Sequence, residues 1–447
     1  MKYQWTFSRQ ALFSYSLTLL LITPFGRVLA AQQPEPYTNA TRYNASGQVV
    51  GAIRSAPEAG KPFPATRNTY FPNGLLHIVE EGYLTSWRDE SVHPKDWGSY
   101  FEVIKKITYS YDINGRKKTS SVSGTDGAIV SLTEYSYYPT GELKCRAVRM
   151  GLSETGDACS PQNDPTHGWD RVTMFKYNGH GDILNEIRAY GTPLEQIYAD
   201  RTYYPTRLLK TVTDAGGNTS EMVYDILNRL RVFYFPSQVA GSRAANKNDY
   251  EEYNYDGNGS RTYLRKRDGR SITYHYDNLK RVYLKDYSDT QQQDIEYTYD
   301  LRGLELTAVY SSTGRGITRT YTGFGEVESE STNVDGTTYT LTHKYDDNGY
   351  RERITYPDNS YFTYVRNQLN QVTTIKAMGS STLLNASYDD AARPKTMTTM
   401  ESEVAGSKIW YDSASRPDVV GYDFSGEDFD LYQDFSLNPA GQISGLD

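Results

Sequence analysis

The chain has 447 residues, enough for two or three ordinary domains, but its composition is unusual, with 41 Tyr against 14 Phe and 5 Trp. Its 47 basic and 55 acidic residues give a formal net charge of −8, which argues against nucleic acid as a partner because that affinity depends on neutralising phosphates. Tyr buries a large apolar area while its hydroxyl stays hydrogen-bonded, so a chain this rich in Tyr can build a core with little Leu.

The first thirty residues have the pattern of a secretory signal peptide. Lys2 and Arg9 precede an apolar run at 11–22, and small residues around position 30 predict cleavage between Ala30 and Ala31. The run is shorter than the roughly 20 apolar residues that a membrane span needs. We therefore expect an exported protein, either secreted, at the cell surface or periplasmic, with no integral membrane segment after cleavage.

A motif built on Tyr and Asp recurs along the remaining chain. Its most complete copy is Tyr111-Asp112 followed by Gly115-Arg116. Further copies are Tyr255-Asp256 with Gly259, Tyr276-Asp277, Tyr299-Asp300 with Gly303, and Tyr345-Asp346 with Gly349. With the Tyr slot as an anchor, the copies lie at positions 43, 70, 111, 137, 177, 203, 224, 255, 276, 299, 321, 345, 366, 388, 411 and 437.

The chemistry of one copy predicts a hairpin. Tyr-x-Tyr places both rings on one face of a strand, because side chains alternate along it. Asp accepts backbone N–H groups in a turn, and Gly three residues later supplies the positive φ that a tight hairpin needs. Stacked hairpins would align their Tyr residues in ladders across neighbouring strands.

Three long intervals, after anchors 70, 137 and 224, mark insertions. We expect them to form surface loops, which are the usual places for binding in repeat arrays. Trp87, Trp97 and Trp169 lie in the first two and are the candidate ligand contacts, and the third is expected to be a polar loop at 236–247. The domain prediction is a signal at 1–30, an N-terminal segment with two divergent repeats at 31–100, and the repeat array at 101–447.

The two cysteines, Cys145 and Cys159, lie in the second insertion. In an oxidising compartment a lone pair usually forms a disulfide, here worth about 3 kcal/mol in the chain-entropy model. Two free thiols are the alternative. A zinc site would need two more ligands, and the nearby His167 fits no familiar zinc spacing.

On the Tyr-Asp copies quoted above, the chain resembles the Rhs/YD-repeat family, which includes the B and C shells of insecticidal toxin complexes and the YD shells of teneurins. The resemblance covers about residues 37–447, and the copy at 111–116 matches the family motif fully. The segment from Cys145 to Val172 also resembles an insertion of bacterial Rhs-type proteins. This resemblance implies an all-β array of antiparallel hairpins whose long sheet spirals into a hollow shell.

In the family such a shell encloses a toxic C-terminal domain, and this sequence has no recognisable effector domain of its own. We therefore expect a partial shell, open at its C-terminus, whose partner is another YD-repeat chain or a downstream effector. The sequence leaves open whether this is a complete protein or a truncated one.

Two functions stay open, and neither is enzymatic, because the sequence contains no familiar catalytic, cofactor or metal-binding motif. The first is a structural or encapsulating role in an Rhs-type secretion, toxin-delivery or contact-competition system. The second is a cell-surface module that binds glycans. A glycan module would expose Trp87, Trp97 and Trp169, whereas a shell would bury most Tyr between strands.

When a bacterial host exports this protein, the mature chain should begin at Ala31, because cleavage is predicted between Ala30 and Ala31. Intact-mass measurement of the exported protein would test this directly. A mass that still includes the first thirty residues would contradict the prediction.

Overall fold

The structure, a computed structural model, describes residues 38–56, 60–334, 336–389, 392–399, 405–412, 416–423, 431–437 and 443–446. The predicted signal, its cleavage site between Ala30 and Ala31, and the turn expected after anchor 437 lie outside these residues. Within them the regular structure is β, apart from two short 3-10 helices, Pro94–Asp96 and Gly98–Tyr100. The prediction of an all-β fold is confirmed.

Thirty-four strands follow one another through the described residues. In chain order they are β1 (Ala40–Tyr43), β2 (Val49–Ile53), β3 (Phe63–Tyr70), β4 (Leu76–Leu84), β5 (Phe101–Tyr111), β6 (Lys117–Ser123), β7 (Ile129–Tyr137), β8 (Leu143–Val148), β9 (Asn163–Asp164), β10 (Gly168–Trp169), β11 (Arg171–Tyr177), β12 (Ile183–Arg188), β13 (Gln196–Tyr203), β14 (Leu209–Asp214), β15 (Thr219–Tyr224), β16 (Leu230–Pro236) and β17 (Ala245–Tyr255). The second half comprises β18 (Arg261–Arg265), β19 (Ser271–Tyr276), β20 (Val282–Tyr287), β21 (Ile295–Tyr299), β22 (Glu305–Tyr310), β23 (Gly316–Tyr321), β24 (Val327–Val334), β25 (Thr337–Tyr345), β26 (Arg351–Thr355), β27 (Tyr361–Arg366), β28 (Val372–Ala377), β29 (Ser381–Tyr388), β30 (Pro394–Thr399), β31 (Ala405–Tyr411), β32 (Pro417–Asp423), β33 (Leu431–Leu437) and β34 (Ile443–Leu446).

Thirty-two of these strands form one antiparallel sheet, and β9 and β10 form a separate small hairpin. Each strand of the large sheet pairs with its neighbours in the chain, and β8 pairs with β11 across the β9–β10 hairpin. Because each strand pairs with its neighbours in the chain, the connections between strands fall into two rows, one at each end of the strands. One carries the tight turns that follow the anchors, and the other carries the connections between units.

We call the first kind tip turns and the second kind return loops. The tip turns are 44–48, 71–75, 112–116, 138–142, 178–182, 204–208, 225–229, 256–260, 277–281, 300–304, 322–326, 346–350 and 367–371, and two more begin at Asp389 and Asp412. The return loops include 54–56, 85–100, 149–170, 237–244, 311–315, 356–360 and 378–380.

The tip turns that begin with Asp use the chemistry that the motif predicts. In the first complete copy, Asp112 Oδ1 accepts the backbone N–H groups of Asn114 and Arg116, both at 2.9 Å. Gly115 has φ +74°, in the left-handed region that L side chains rarely adopt. A bulge then shifts the strand register between Ser110 and Tyr111, so that Tyr111 pairs with Lys117.

The anchor Tyr hydroxyl links each unit to the one before it. Tyr111 donates to the carbonyl of Leu76 at 2.7 Å, and Leu76 is the first residue of β4. Eleven other anchors donate in the same way to the first residue of the preceding return strand, at positions 70, 137, 177, 203, 255, 276, 299, 321, 345, 388 and 411. The accepting carbonyl lies beside the bulge, where the ladder is interrupted and a polar group needs another partner.

Two apolar clusters lie where insertions fold back on the sheet. The first contains Ile53, Phe63, Leu84, Trp97 and Phe101 with Ala65. The second surrounds the cysteine pair and contains Ala147, Ala158, Val172, Met174 and Ile187. Both belong to the N-terminal half of the chain.

Replacing Gly115 with Val should destabilise the β5–β6 hairpin by about 1–2 kcal/mol, because a side chain in the left-handed region clashes with the backbone. Gly115→Asn is the matched control, since Asn228 and Asn370 already adopt φ 62° in this slot of other tip turns. Native-state hydrogen exchange across β5 and β6 would measure both changes. Equal loss of protection in the two variants would contradict this account.

Candidate functional site: a seam between distant repeats

An Arg at the fifth position of several tip turns joins the turn to the next unit. Arg281 Nε donates to Asp277 Oδ2 at 2.8 Å, and its Nη1 reaches the carbonyl of Asp300 in the following turn at 3.2 Å. The same guanidinium lies over the ring of Tyr299, 4.6 Å from its centroid. Arg116 and Arg229 make the equivalent three contacts. The Arg of the motif therefore fixes the spacing between one hairpin and the next.

The late tip turns meet the return loops of the first units. Ser55, which is only 3% exposed, donates its hydroxyl to Asn348 Oδ1 at 2.6 Å, and Arg54 donates to the hydroxyl of Tyr350 at 3.2 Å. These partners are separated by 293 and 296 residues in the chain. The sheet thus winds back on itself, and we call the contact between its two revolutions the seam.

Exposure of the tip turns changes where the seam begins. The central residues of every tip turn from 45–47 to 301–303 are exposed, whereas those at 347–349 and 368–370 are half-buried or buried. All these turns have the same hydrogen-bond pattern, in which the first N–H donates to the carbonyl of the fifth residue. The difference therefore arises from the covering revolution and not from the turn itself.

The seam continues at the second insertion. Arg171, at the start of β11, lies close to Arg416, Asp412 and Asp418 of the last repeats. Burial lowers the pKa of Arg171 to about 10, and the positive charge of Arg416 acts in the same direction against the nearby carboxylates. Burial also raises the pKa of the Asp418 carboxyl, and the charge of Asp412 adds to that rise.

The carboxylates of Asp277, in an exposed tip turn, and Asp346, in a covered one, differ in the direction of their pKa shift. The backbone N–H and guanidinium of Arg281 hold the pKa of Asp277 below its usual value. Asp346 occupies the same turn position at the seam, and there burial raises its pKa although two backbone N–H groups still bind it. Burial of this turn therefore disfavours the charged form of Asp346.

A cavity of about 340 Å³ lies in the seam. Ala52, Arg54 and Ala65 line it from the first revolution, and Leu369 and Asn370 line it from the second. Asn370 is 8% exposed, and its Oδ1 has no hydrogen-bond partner among the described residues. The cavity is thus a gap between two revolutions in which one buried amide oxygen stays unsatisfied.

The disulfide predicted between Cys145 and Cys159 is present. It closes the second insertion, whose centre is the guanidinium of Arg149, only 1% exposed. Arg149 forms ion pairs with Glu134 and with Asp170, the latter at 2.6 Å, and both carboxylates are 2% exposed. This buried triad is not predictable from the sequence, because nothing in the local pattern distinguishes Arg149 from the surface arginines.

The side chains of the triad also form hydrogen bonds with backbone groups. Arg149 donates to the carbonyl oxygens of Ser160 and Asp157, at 3.0 and 2.8 Å. Asp170 accepts the N–H groups of Met150 and Gln162 at 2.8 and 2.9 Å. Buried charges are tolerated when they are paired and fully hydrogen-bonded, and this network meets that condition.

The three tryptophans do not form a common exposed surface. The expectation that Trp97 is exposed is wrong, because the two 3-10 helices turn it into the first apolar cluster, where it is 0% exposed. Trp87 is half-buried with its ring edge-on to Phe63 at 5.5 Å, and Trp169 is half-buried in β10. The third insertion is also shorter than predicted, with a loop only at 237–244, because β16 and β17 extend into it.

The described residues contain neither a metal site nor a membrane-spanning helix. No group of three or more His, Cys, Asp or Glu side chains there could hold a metal ion. No helix in that part of the chain is long and apolar enough to cross a membrane. The seam and the second insertion are therefore the features on which a functional argument can rest.

Comparison with known proteins identifies the fold. No protein-family model and no curated protein matches the sequence. The crystal structure of TcdB2-TccC3-TEV superposes with a TM-score of 0.56 at 12% identity, covering 91% of this chain and 22% of that chain. The Photorhabdus luminescens Tc holotoxin pore superposes with a TM-score of 0.57 at 10% identity, covering 91% and 24%. This chain thus spans less than a quarter of the length of either.

Replacing Arg149 with Met should destabilise the second insertion by about 3–5 kcal/mol, because two buried carboxylates lose their counter-charge. Arg231→Met is the matched control, since Arg231 is 58% exposed and its ion pair with Glu252 is long, at 4.0 Å. This control substitution should cost less than about 0.5 kcal/mol. Urea titration with hydrogen exchange across 143–172 would measure the difference. Similar costs for both variants would show that the triad is not essential.

Proposed function

We propose that this chain, whose fold is that of the Rhs/YD-repeat shells, is an exported structural segment of a hollow shell that encloses a polypeptide cargo. It would act in a toxin-delivery or contact-competition system. The seam is the observation that supports this role, since contacts between residues 293 and 296 apart in the chain wind a single sheet into a curved wall.

Export is part of the proposal. The Cys145–Cys159 disulfide supports it, because disulfides persist in oxidising compartments and are rare in the cytosol. The signal pattern of the first thirty residues points the same way.

A non-enzymatic role is also part of the proposal. Three groups with perturbed pKa values have structural surroundings, since Asp277 is held in a turn, and Asp346 and Arg171 lie in the seam. Perturbed ionisation is often a sign of a catalytic site, but ion pairs of a structural network produce the same effect.

The glycan-binding alternative has weaker support. It depended on three exposed tryptophans, and Trp97 is buried while Trp87 packs on Phe63. Of the three tryptophans, Trp169 alone is not accounted for by packing in the interior or against another ring.

Enclosure can be measured with a flexible reporter fused after residue 447 that carries a site-specific protease sequence. Cleavage should be at least about tenfold slower in the wild type than in Ser55→Arg, because cleavage follows the population of the open form. Ser55 is buried in the seam, and a bulky charge there should open it.

Ser46→Arg is the matched control, because Ser46 lies on an exposed tip turn. Its reporter should stay as protected as that of the wild type. Equal cleavage rates in wild type and Ser55→Arg would contradict enclosure by this shell.

A further inference from the structure

The two kinds of surface that meet in the seam, tip turns and return loops, also occur elsewhere on the chain, where they are exposed. The seam consists of late tip turns packed against early return loops. Early tip turns, from 45–47 to 301–303, are exposed, and so are the late return loops at 238–244, 311–315, 356–359 and 378–380. One end of the spiral therefore presents tip turns, and the other presents return loops.

The uncovered tip turns are unusually apolar. Ile113, Ile226 and Leu301 are essentially fully exposed, and Leu227 and Leu279 are 60% and 70% exposed. Turn geometry does not require them, because it constrains the first and fourth residues, and Gly257-Asn258 occupies the same two central positions elsewhere. We call these five residues the tip rim.

The seam shows what an apolar tip residue contacts when it is covered. Leu369 has the same turn position as Leu227 and Leu279, and it lines the seam cavity opposite Ala52 and Ala65. Phe324, in the first tip turn to reach the seam, is still 71% exposed, although it lines a neighbouring cavity together with Ile53. The covered tip residue Leu369 thus shares a cavity with apolar residues at the return-loop ends of the opposite strands.

Apolar residues also lie in the uncovered return loops and at the strand ends beside them. Val239, Val334 and Met378 are 69%, 51% and 53% exposed, and Tyr310 and Tyr356 are 43% and 37% exposed. We call these five residues the return rim. These exposed apolar side chains are available for contact with a partner.

We propose that a second copy of this chain docks its tip rim on the return rim of the first, repeating between chains the contact that the seam makes within one. The partner is a second copy because both mating surfaces occur on the same chain. A head-to-tail contact of this kind does not close on itself, so further copies extend the assembly into a rod. The inference rests on the proposed shell, whose wall it lengthens.

The test uses the mature protein and two triple variants. Ile113→Glu, Ile226→Glu and Leu301→Glu together disable the tip rim, and Val239→Glu, Tyr356→Glu and Met378→Glu together disable the return rim. Val365→Glu with Tyr283→Glu is the control, since these two residues are 41% and 45% exposed but lie within strands. Circular dichroism would verify that each variant is folded.

Sedimentation velocity across a concentration series should show growing species for the wild type and the control, and monomers for each triple variant alone. Mixing the two triple variants should give a dimer that grows no further, because only one productive pair of rims remains. Electron microscopy of the wild type should show rods.

A wild type that stays monomeric would overturn the proposal. So would triple variants that associate like the wild type, which would assign association to the end strands β1 and β34. The reporter assay on the monomeric variants separates this inference from enclosure. If the reporter is protected but no rods form, enclosure is supported and stacking is refuted. If rods form but the reporter is cleaved, stacking is supported and enclosure is refuted.

Discussion

The hydrogen bond from an anchor Tyr to the start of the preceding return strand is the interaction on which the array depends. A tight turn with a bulge interrupts the strand ladder once in every unit, and most of this sheet has no second layer to shield the break. Tyr resolves both problems with one side chain. Its ring covers the neighbouring strand, and its hydroxyl satisfies a carbonyl beside the break. This explains why the composition favours Tyr over Phe, which could not make the bond.

Much of the fold could be predicted because the determinants of each hairpin are local. The spacing alone placed an anchor at Arg366, and the structure has a bulge there, with Arg366 paired to Val372. Asp and Gly revealed the turns for the same reason, since the backbone geometry that they provide spans only four residues. Tip turns with Arg207 or Lys280 in place of the Gly are harder to recognise in the sequence, yet both residues adopt a positive φ as the Gly does.

The seam could not be predicted in this way, because it joins residues nearly 300 positions apart and depends on the curvature of the whole sheet. Trp97 shows a related limit. A Trp within an insertion looks like a ligand contact until the two 3-10 helices carry it back onto Phe101, 5.3 Å away. The buried position of Arg149 likewise depends on the path of a loop that contains no repeat signal.

Because the anchors and the motif arginines contact only adjacent units, the array is close to one-dimensional in its energetics. The seam adds one long-range contact, made by turns that all share the same backbone geometry. Removal or duplication of a whole unit during evolution would therefore move the next equivalent turn opposite Ser55 and preserve the type of contact. Loss of a few residues from within a unit would instead misalign every following turn. Such a wall can change its circumference only in steps of one hairpin, which favours unequal recombination over gradual drift in length.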